Sequence, residues 1–587
     1  MGEPRRRQFF ITALSLVLLA VFAGRLVMIQ GVNAAELSTA ALENRLSTTT
    51  SEPLRADIVD RNGVVLATSA ERYHVFVNQQ KLAEWQRIED KQVVAEGALD
   101  AAAILAPILG VSESELAVDL VGDATFKYIA KYVTPETWSL IADEKIAGID
   151  REKVTERLYP NGDIAGNIVG FVGGREDQQG NDWGLAGIEA SFEDELLGTP
   201  GSLTYERGTD GTVIPTGVLE EEAAVPGSDV VLTLDRDIQY YTQQRLDEAV
   251  AQTGASSGIV TIQDVTTGEF LTLADSGTVD PNDPGATDAS SRGSRAVEDV
   301  FEPGSTAKVI TVAAALEEGI ATPTTRYVAP YEYTTANNQT FKDSHDYGDQ
   351  KLTLAGILAK SSNTGTVQVG EGLTEEQRYE YLEAFGLGSK TGVGMPSESA
   401  GILHHWKDWD GRTKWAVLYG QGVSVTALQN SQVFQTIANG GVRLQPTIVK
   451  GFQQADGTFV ERETSEGVRV VSEETAAQVM LMLEDVTESG TGKLAKIDGY
   501  RVAGKTGTAQ APDETGKLTR IVASFVGIAP ADDPRIVVSV ILFDPKSSIW
   551  GGEVAAPVFS DVTSFALQAL RVAPSGPAEE MYPTTWE

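Results

Sequence analysis

Three arginines, Arg5 to Arg7, stand before an apolar stretch from Phe9 to Ile29, and no other feature of this 587-residue chain restricts its topology as much. At about 1.5 Å of rise per residue the stretch reaches roughly 31 Å as a helix, enough for the hydrocarbon core of a bilayer. The basic flank belongs on the cytoplasmic side, which places everything after the helix outside. Arg25 interrupts the stretch near its outer end, where the side chain can snorkel to the headgroups. Val32-Asn33-Ala34 resembles a small-residue cleavage site, so a removed signal peptide stands as the alternative to an uncleaved anchor; the stretch is longer than an ordinary secretory core. On either reading the body of the chain is exported.

Composition narrows what that body can do. With 42% apolar and 22% charged residues it is a folded, globular chain. Against 46 basic side chains stand 83 acidic ones, and the net charge of -37 argues against a nucleic-acid partner. The absence of cysteine excludes disulfides, thiolate metal sites and a cysteine nucleophile. Four histidines without an H-E-x-x-H pattern argue against catalytic zinc, so neither metal nor cofactor is expected. The acidic loop from Asp280 to Asp288 lacks EF-hand spacing and reads as a solvated surface. Whatever chemistry the chain performs must run on Ser, Thr, Lys, Asp or Glu.

The length exceeds what one core organises. The sequence predicts a cytoplasmic tail over 1–8, the anchor over 9–29, a mixed, short-element pedestal over 30–225, a catalytic domain over 226–571 and a disordered tail over 572–587. In the pedestal, Asn62-Gly63 between two strand-like runs is a hairpin signal. Ser112 with Glu115 predicts a capping box, and Thr134-Pro135 a helix start. Beyond residue 226 come a buried strand (Val230 to Leu234), a helix from about Asp237 to Val250, and strands near 258–263 and 270–274.

Three short motifs follow. In Glu302-Pro303-Gly304-Ser305-Thr306-Ala307-Lys308 a turn opens an alanine-rich apolar helix, and the i, i+3 spacing sets Lys308 beside Ser305. Ser305 stands at the positive end of that helix. Desolvation disfavours a buried ammonium, which fits Lys308 to serve as base for the serine. Ser361-Ser362-Asn363 ends a helical run and supplies a second hydroxyl and an amide. Lys505-Thr506-Gly507-Thr508 has sheet-like neighbours on both sides, so its glycine would let substrate approach a strand edge. A second K-T-G, Lys390-Thr391-Gly392, lies in a glycine-rich loop after a capped helix (Thr374 with Gln377) and is set aside for that reason. In this order the three motifs form the active-serine signature of penicillin-recognising enzymes.

Through these motifs the chain resembles the class B penicillin-binding proteins, membrane-anchored peptidoglycan D,D-transpeptidases, over nearly its whole length. The resemblance rests further on the run from Arg55 to Gly63, on Arg157-Leu158-Tyr159-Pro160 with Gly187-Ile188-Glu189, on Arg295-Ala296-Val297, and on Tyr419-Gly420-Gln421-Gly422. The short region before Arg55 and the modest pedestal look most like the septal, cell-division branch. Two positions depart from the family pattern: Ala56 replaces a usual glycine, and Ala307 a usually bulkier residue. The resemblance implies an α+β chain with an anchor helix, a mixed pedestal and a penicilloyl-serine-transferase domain whose central antiparallel sheet is flanked by helices. It implies Ser305 as nucleophile, Lys308 as base, Ser361 and Asn363 as proton shuttle and peptide orienters, and Lys505 with Thr506, Gly507 and Thr508 at the donor carboxylate. The oxyanion would rest on the backbone N–H groups of Ser305 and Thr508, and a charged Lys505 would lower the pKa of Lys308 by repulsion.

Implied ligands are peptidoglycan stem peptides, as D-Ala-D-Ala donor and amine acceptor, with β-lactams as inhibitors. Implied partners are a polytopic glycan polymerase and other division proteins. A D,D-carboxypeptidase or β-lactamase uses the same motifs and differs in whether water reaches the acyl-enzyme. A non-catalytic division scaffold or β-lactam sensor is the alternative from another class.

Overall fold

The computed structural model of the protein describes residues 4–51, 53–175, 183–208, 214, 217–512, 515 and 517–587. The chain divides into two units, Met1–Arg55 with Leu197–Gly227, and Ala56–Leu196 with Ser228–Glu587.

In the first unit the apolar N-terminal sequence forms the helix Pro4–Val27, continued by a π turn over Met28–Val32. Phe9, Phe22 and Val27 are exposed along it, an apolar surface that suits lipid. The helix Ala34–Glu43 follows. The rest is a three-stranded antiparallel sheet in which Gly201–Glu206 lies between Leu46–Ser51 and Leu219–Glu222.

The second unit begins with the hairpin expected at Asn62-Gly63, joining Ile58–Val59 to the long strand Val65–Val77. Asp60 Oδ1 closes the turn by accepting from the backbone N–H of Asn62 and of Val64, each at 2.8 Å. Val65–Val77 pairs with Lys127–Val133 and Ile149–Leu158, and Leu82, Trp85, Leu105, Leu116 and Ile141 form a core beside these strands. Thr134 caps the helix Pro135–Asp143 as expected, accepting from Thr137 N. The capping box at Ser112 does not form: the Ser112 hydroxyl is engaged with the Ser114 hydroxyl at 2.9 Å, a local partner that competes with the helix N–H groups.

Three segments distant in sequence meet at one buried ion pair. Arg157 Nε donates to Glu189 Oε1 at 2.7 Å and its Nη1 to the carbonyl of Ala56 at 2.8 Å, while the Tyr159 hydroxyl donates to the same Glu189 oxygen at 3.2 Å. The two charged side chains are 2% and 0% exposed, so neither could be buried without the other.

The site is built on a five-stranded antiparallel sheet in the order Phe270–Asp275, Ser257–Asp264, Ile536–Phe543, Leu518–Ala529, Ala503–Pro512. Alternation along Ile536–Phe543 sends Val538, Val540 and Leu542 to one face and Val537, Ile541 and Phe543 to the other. The first set packs with the helices Arg236–Thr253 and Ala556–Ala569, the second with Lys308–Glu317, Ala427–Ala438 and Glu473–Glu488. Both faces are therefore covered, and Ala503–Pro512 is left as an edge.

The C-terminal segment differs from the expected disorder. Leu352 bridges Thr585, Thr353 N donates to Thr584 O at 3.1 Å, and Trp586 Nε1 donates to Tyr327 O at 3.0 Å. The indole also lies under Arg326 and Lys351, 5.5 and 5.1 Å from its centroid. A segment rich in Pro, Glu and Thr reads as unstructured, yet one aromatic and a few backbone bonds to an adjacent strand hold it.

Candidate active site

The first motif folds as a 3₁₀ turn, Gly304–Ala307, that runs into the helix Lys308–Glu317. In a 3₁₀ turn residues three apart eclipse, so Ser305 and Lys308 share a side. Two glycines make the close packing around the turn possible. Gly304 has φ +56° and a Cβ there would meet Thr508 O at 2.8 Å; Gly420 has φ +79° and a Cβ would meet Gly304 O at 2.2 Å. Glu302 N donates to Gln510 O at 2.9 Å and Gly304 N to Gly420 O at 3.0 Å, which pins the turn between the edge strand and the turn Val417–Tyr419.

Ser305, half-buried, opens into a cavity of about 540 Å³ whose walls also carry Ser361, Asn363, Tyr419, Thr506, Thr508 and Trp550. Lys308 is fully buried behind it. Its Nζ donates to Ser361 O at 2.5 Å, to Ser361 Oγ at 3.2 Å and to Asn363 Oδ1 at 2.7 Å. Among the described hydrogen bonds of Lys308 none runs to Ser305 Oγ. Burial pulls the Lys308 ammonium down to about 7, opposed by the negative charge of Asp343.

The second motif sits at a junction of two helices. Leu354–Lys360 ends at Ser361, which adopts the left-handed conformation (φ 58°), and Ser362 caps Asn363–Gly370 by accepting from Gly365 N at 2.9 Å. This reversal points Ser361 Oγ and Asn363 Oδ1 at Lys308. The third motif lies on the sheet-edge strand, where strand-edge access was expected. Lys505, also fully buried, donates to Ser361 Oγ at 2.9 Å and to Thr506 O at 3.1 Å. Ser361 Oγ thus stands between two lysines. Burial, and then the nearby Lys308 charge, bring Lys505 well below the ordinary lysine range. The repulsion expected at Lys308 falls on Lys505 instead; at Lys308 the causes are burial, which lowers it, and the charge of Asp343, which raises it.

All eight residues singled out from the sequence gather around this cavity. Ser305, Ser361, Asn363, Thr506 and Thr508 line it, Lys308 and Lys505 lie behind its wall, and Gly507 pairs with Ser524 on the edge strand between two lining threonines. The other K-T-G is elsewhere and structural: Thr391 is buried, and its N–H and hydroxyl donate to Glu398 Oε1 at 2.6 and 2.5 Å. Sequence reasoning missed four contributors. Thr491 shares a 2.7 Å hydrogen bond with Thr506 Oγ1, and its flanking glycines, Gly490 and Gly492, were the only available hint. His345 and Trp550, with ring centroids 5.2 Å apart, form one wall, and Asp343 holds the second motif; nothing local marks any of them.

Two family models match the chain: Penicillin binding protein transpeptidase domain over residues 258–564 and Penicillin-binding Protein dimerisation domain over residues 50–232. The penicillin-binding protein PbpB of Mycolicibacterium smegmatis is 36% identical over 95% of this chain and 89% of its own length. The peptidoglycan D,D-transpeptidase FtsI of Escherichia coli is 29% identical over 95% of this chain and 91% of its own. The crystal structure of penicillin binding protein 3 of Mycobacterium tuberculosis complexed with aztreonam superposes with a TM-score of 0.69 at 30% identity, covering 91% of this chain and all of that one.

Proposed function

This chain belongs to the penicillin-binding protein transpeptidases, and from that premise we propose how its residues perform the family's reaction. It is a serine D,D-transpeptidase that cross-links peptidoglycan stem peptides in cell-wall synthesis and cell division and binds β-lactams. Neutral Lys308 accepts the Ser305 hydroxyl proton as Oγ attacks the penultimate D-Ala carbonyl carbon. The N–H groups of Ser305 and Thr508 hold the oxyanion; the packing of Gly304 against Thr508 brings these two backbone segments side by side. As the tetrahedral intermediate collapses the peptide C–N bond breaks, and the proton passes from Lys308 to the departing D-Ala amine, with Ser361 Oγ as relay. An amine of a neighbouring stem then attacks the ester, gives a proton to the same base, and Ser305 regains its hydrogen. Lys505, Thr506 and Thr508 hold the donor carboxylate, with Gly507 leaving the strand edge open, and Asn363 orients the peptide.

The observation that carries these roles is the convergence of Ser305, Lys308, Ser361, Asn363 and Lys505 on one cavity, with Ser361 Oγ within hydrogen-bond reach of both lysines. The chain is a single-pass membrane protein through its N-terminal helix. Arg5 to Arg7 support a cytoplasmic N-terminus with the catalytic domain, about 226–571, outside. The anchor and the pedestal, about 30–225, would meet a polytopic glycan polymerase and other division proteins. Incubation with a fluorescent penicillin, followed by peptide mass spectrometry, tests the assignment: a stable label on Ser305 that is absent from Ser305→Ala is expected, and a label elsewhere overturns it.

A further inference from the structure

Ser361 holds a left-handed backbone conformation that a non-glycine residue adopts only under strain, so the surrounding structure must enforce it. From the side of the preceding helix, Ser361 N donates to Leu358 O at 3.2 Å and Ser362 N to Ile357 O at 3.0 Å. From the other side the work falls to the end of the strand Thr340–Lys342 and the residue after it. Asp343 Oδ2 accepts from Ser362 Oγ at 2.9 Å and Oδ1 from Thr364 N at 2.9 Å, and its own N–H is tied to Tyr331 O at 3.0 Å. Beside it, Lys342 O accepts from Asn363 Nδ2 at 3.0 Å, which turns the amide so that Oδ1 faces Lys308.

We propose that Asp343 is a positioning residue for acyl transfer: its carboxylate clamps the Ser361–Asn363 turn in the strained form that presents Ser361 Oγ and Asn363 Oδ1 to Lys308. The same carboxylate acts on Lys308 through space, since its charge favours the ammonium that burial disfavours. Other charged groups stand on the elements packed around Lys308. Lys505 comes from the edge strand, and Glu484 and Asp485, on the packed helix Glu473–Glu488, are bound to Arg501 and Ser489. The remaining titratable side chains of the cavity wall are His345, Tyr347, Lys360, Tyr419, Lys493 and Glu553.

The inference rests on the acyl-transferase reading, and the full-length protein in detergent micelles separates the two. The second-order rate of acylation by a fluorescent penicillin is measured from pH 5 to 9 for wild type, Asp343→Asn, Asp343→Glu and Ser362→Ala. Asp343→Asn is expected to lower the plateau about ten- to hundredfold, the effect of misplacing catalytic groups by about 1 Å. It should also move the half-maximal pH about 0.5–1 unit lower, because the charge that favours the ammonium is gone. Asp343→Glu restores the midpoint. Ser362→Ala lowers the plateau at an unchanged midpoint, and carries the test should Asp343→Asn not fold. A wild-type plateau in Asp343→Asn or Ser362→Ala overturns the inference, as does a reduced plateau in Asp343→Asn at the wild-type midpoint, which marks a merely structural role. No acylation of wild type at all would instead overturn the acyl-transferase reading.

Discussion

Acylation should titrate with Lys308, and the structure sets where. Only the neutral amine can take the Ser305 proton. At the ordinary lysine value of 10.5 the neutral form is about one part in 3,000 at pH 7; with the group held at about 7 it is about half. Burial of Lys308 thus raises the concentration of competent base by roughly a thousandfold, equivalent to about 4–5 kcal/mol at 1.36 kcal/mol per pH unit. The sign follows directly: a lysine whose pKa is depressed gains its base form as pH rises. The second-order rate of penicillin acylation, which reports the free enzyme, should increase about tenfold per pH unit below pH 6, reach half its maximum near pH 7 and level off above pH 8. Stopped-flow or quenched gel assays with a fluorescent penicillin give the profile, and Lys308→Met should reduce it to background at every pH. A rate flat from pH 5 to 9, or a midpoint near 10, would refute the assignment of the base to a desolvated Lys308.

Glu189→Ala should destabilise the second unit by about 3–5 kcal/mol, because it leaves the Arg157 guanidinium buried without its counter-charge; urea unfolding followed by tryptophan fluorescence measures this, and a loss below about 1 kcal/mol contradicts it. Trp586→Ala should release the C-terminal segment, seen as rapid tryptic cleavage after Arg571 while wild type resists. Lys390→Ala should leave acylation unchanged, since that side chain is exposed and its motif is tied into a turn by Glu398.

The candidate site was legible because the order of its motifs along the chain is itself a constraint: serine and lysine three apart at a helix start, a hydroxyl-amide pair at a helix end, a lysine on a strand. The helix-flanked sheet was expected from the family resemblance alone, and the run from Val537 to Phe543, apolar but for Ser539, is the local signal that went unread: it is a strand covered on both faces. What escaped were partners supplied by tertiary approach. Asp343 precedes Ser362 by 19 residues and resembles any loop aspartate until the strand Thr340–Lys342 delivers it to the turn. Ser112 failed in the opposite sense, because the motif S-x-x-E specifies a possible hydrogen bond and Ser114 offered the hydroxyl a nearer one.

The shared position of Ser361 Oγ has a consequence for substrate selection. Lys308 and Lys505 both donate to it, so their nitrogens lie within about 6 Å, close enough for like charges to disfavour each other strongly. In a buried site the pair carries one proton far more readily than two, and its titration belongs to both residues. A carboxylate arriving beside Lys505 and Thr506 favours the ammonium on Lys505, and repulsion from that charge then holds Lys308 neutral. Recognition of the donor carboxylate and activation of the base become one electrostatic event. The saturated acylation rate reports the enzyme–substrate complex, so its half-maximal pH should lie below 7 for a donor with a free carboxylate and should rise when that carboxylate is esterified. Equal midpoints for acid and ester, at saturation, would show that the two lysines titrate independently of what occupies the site.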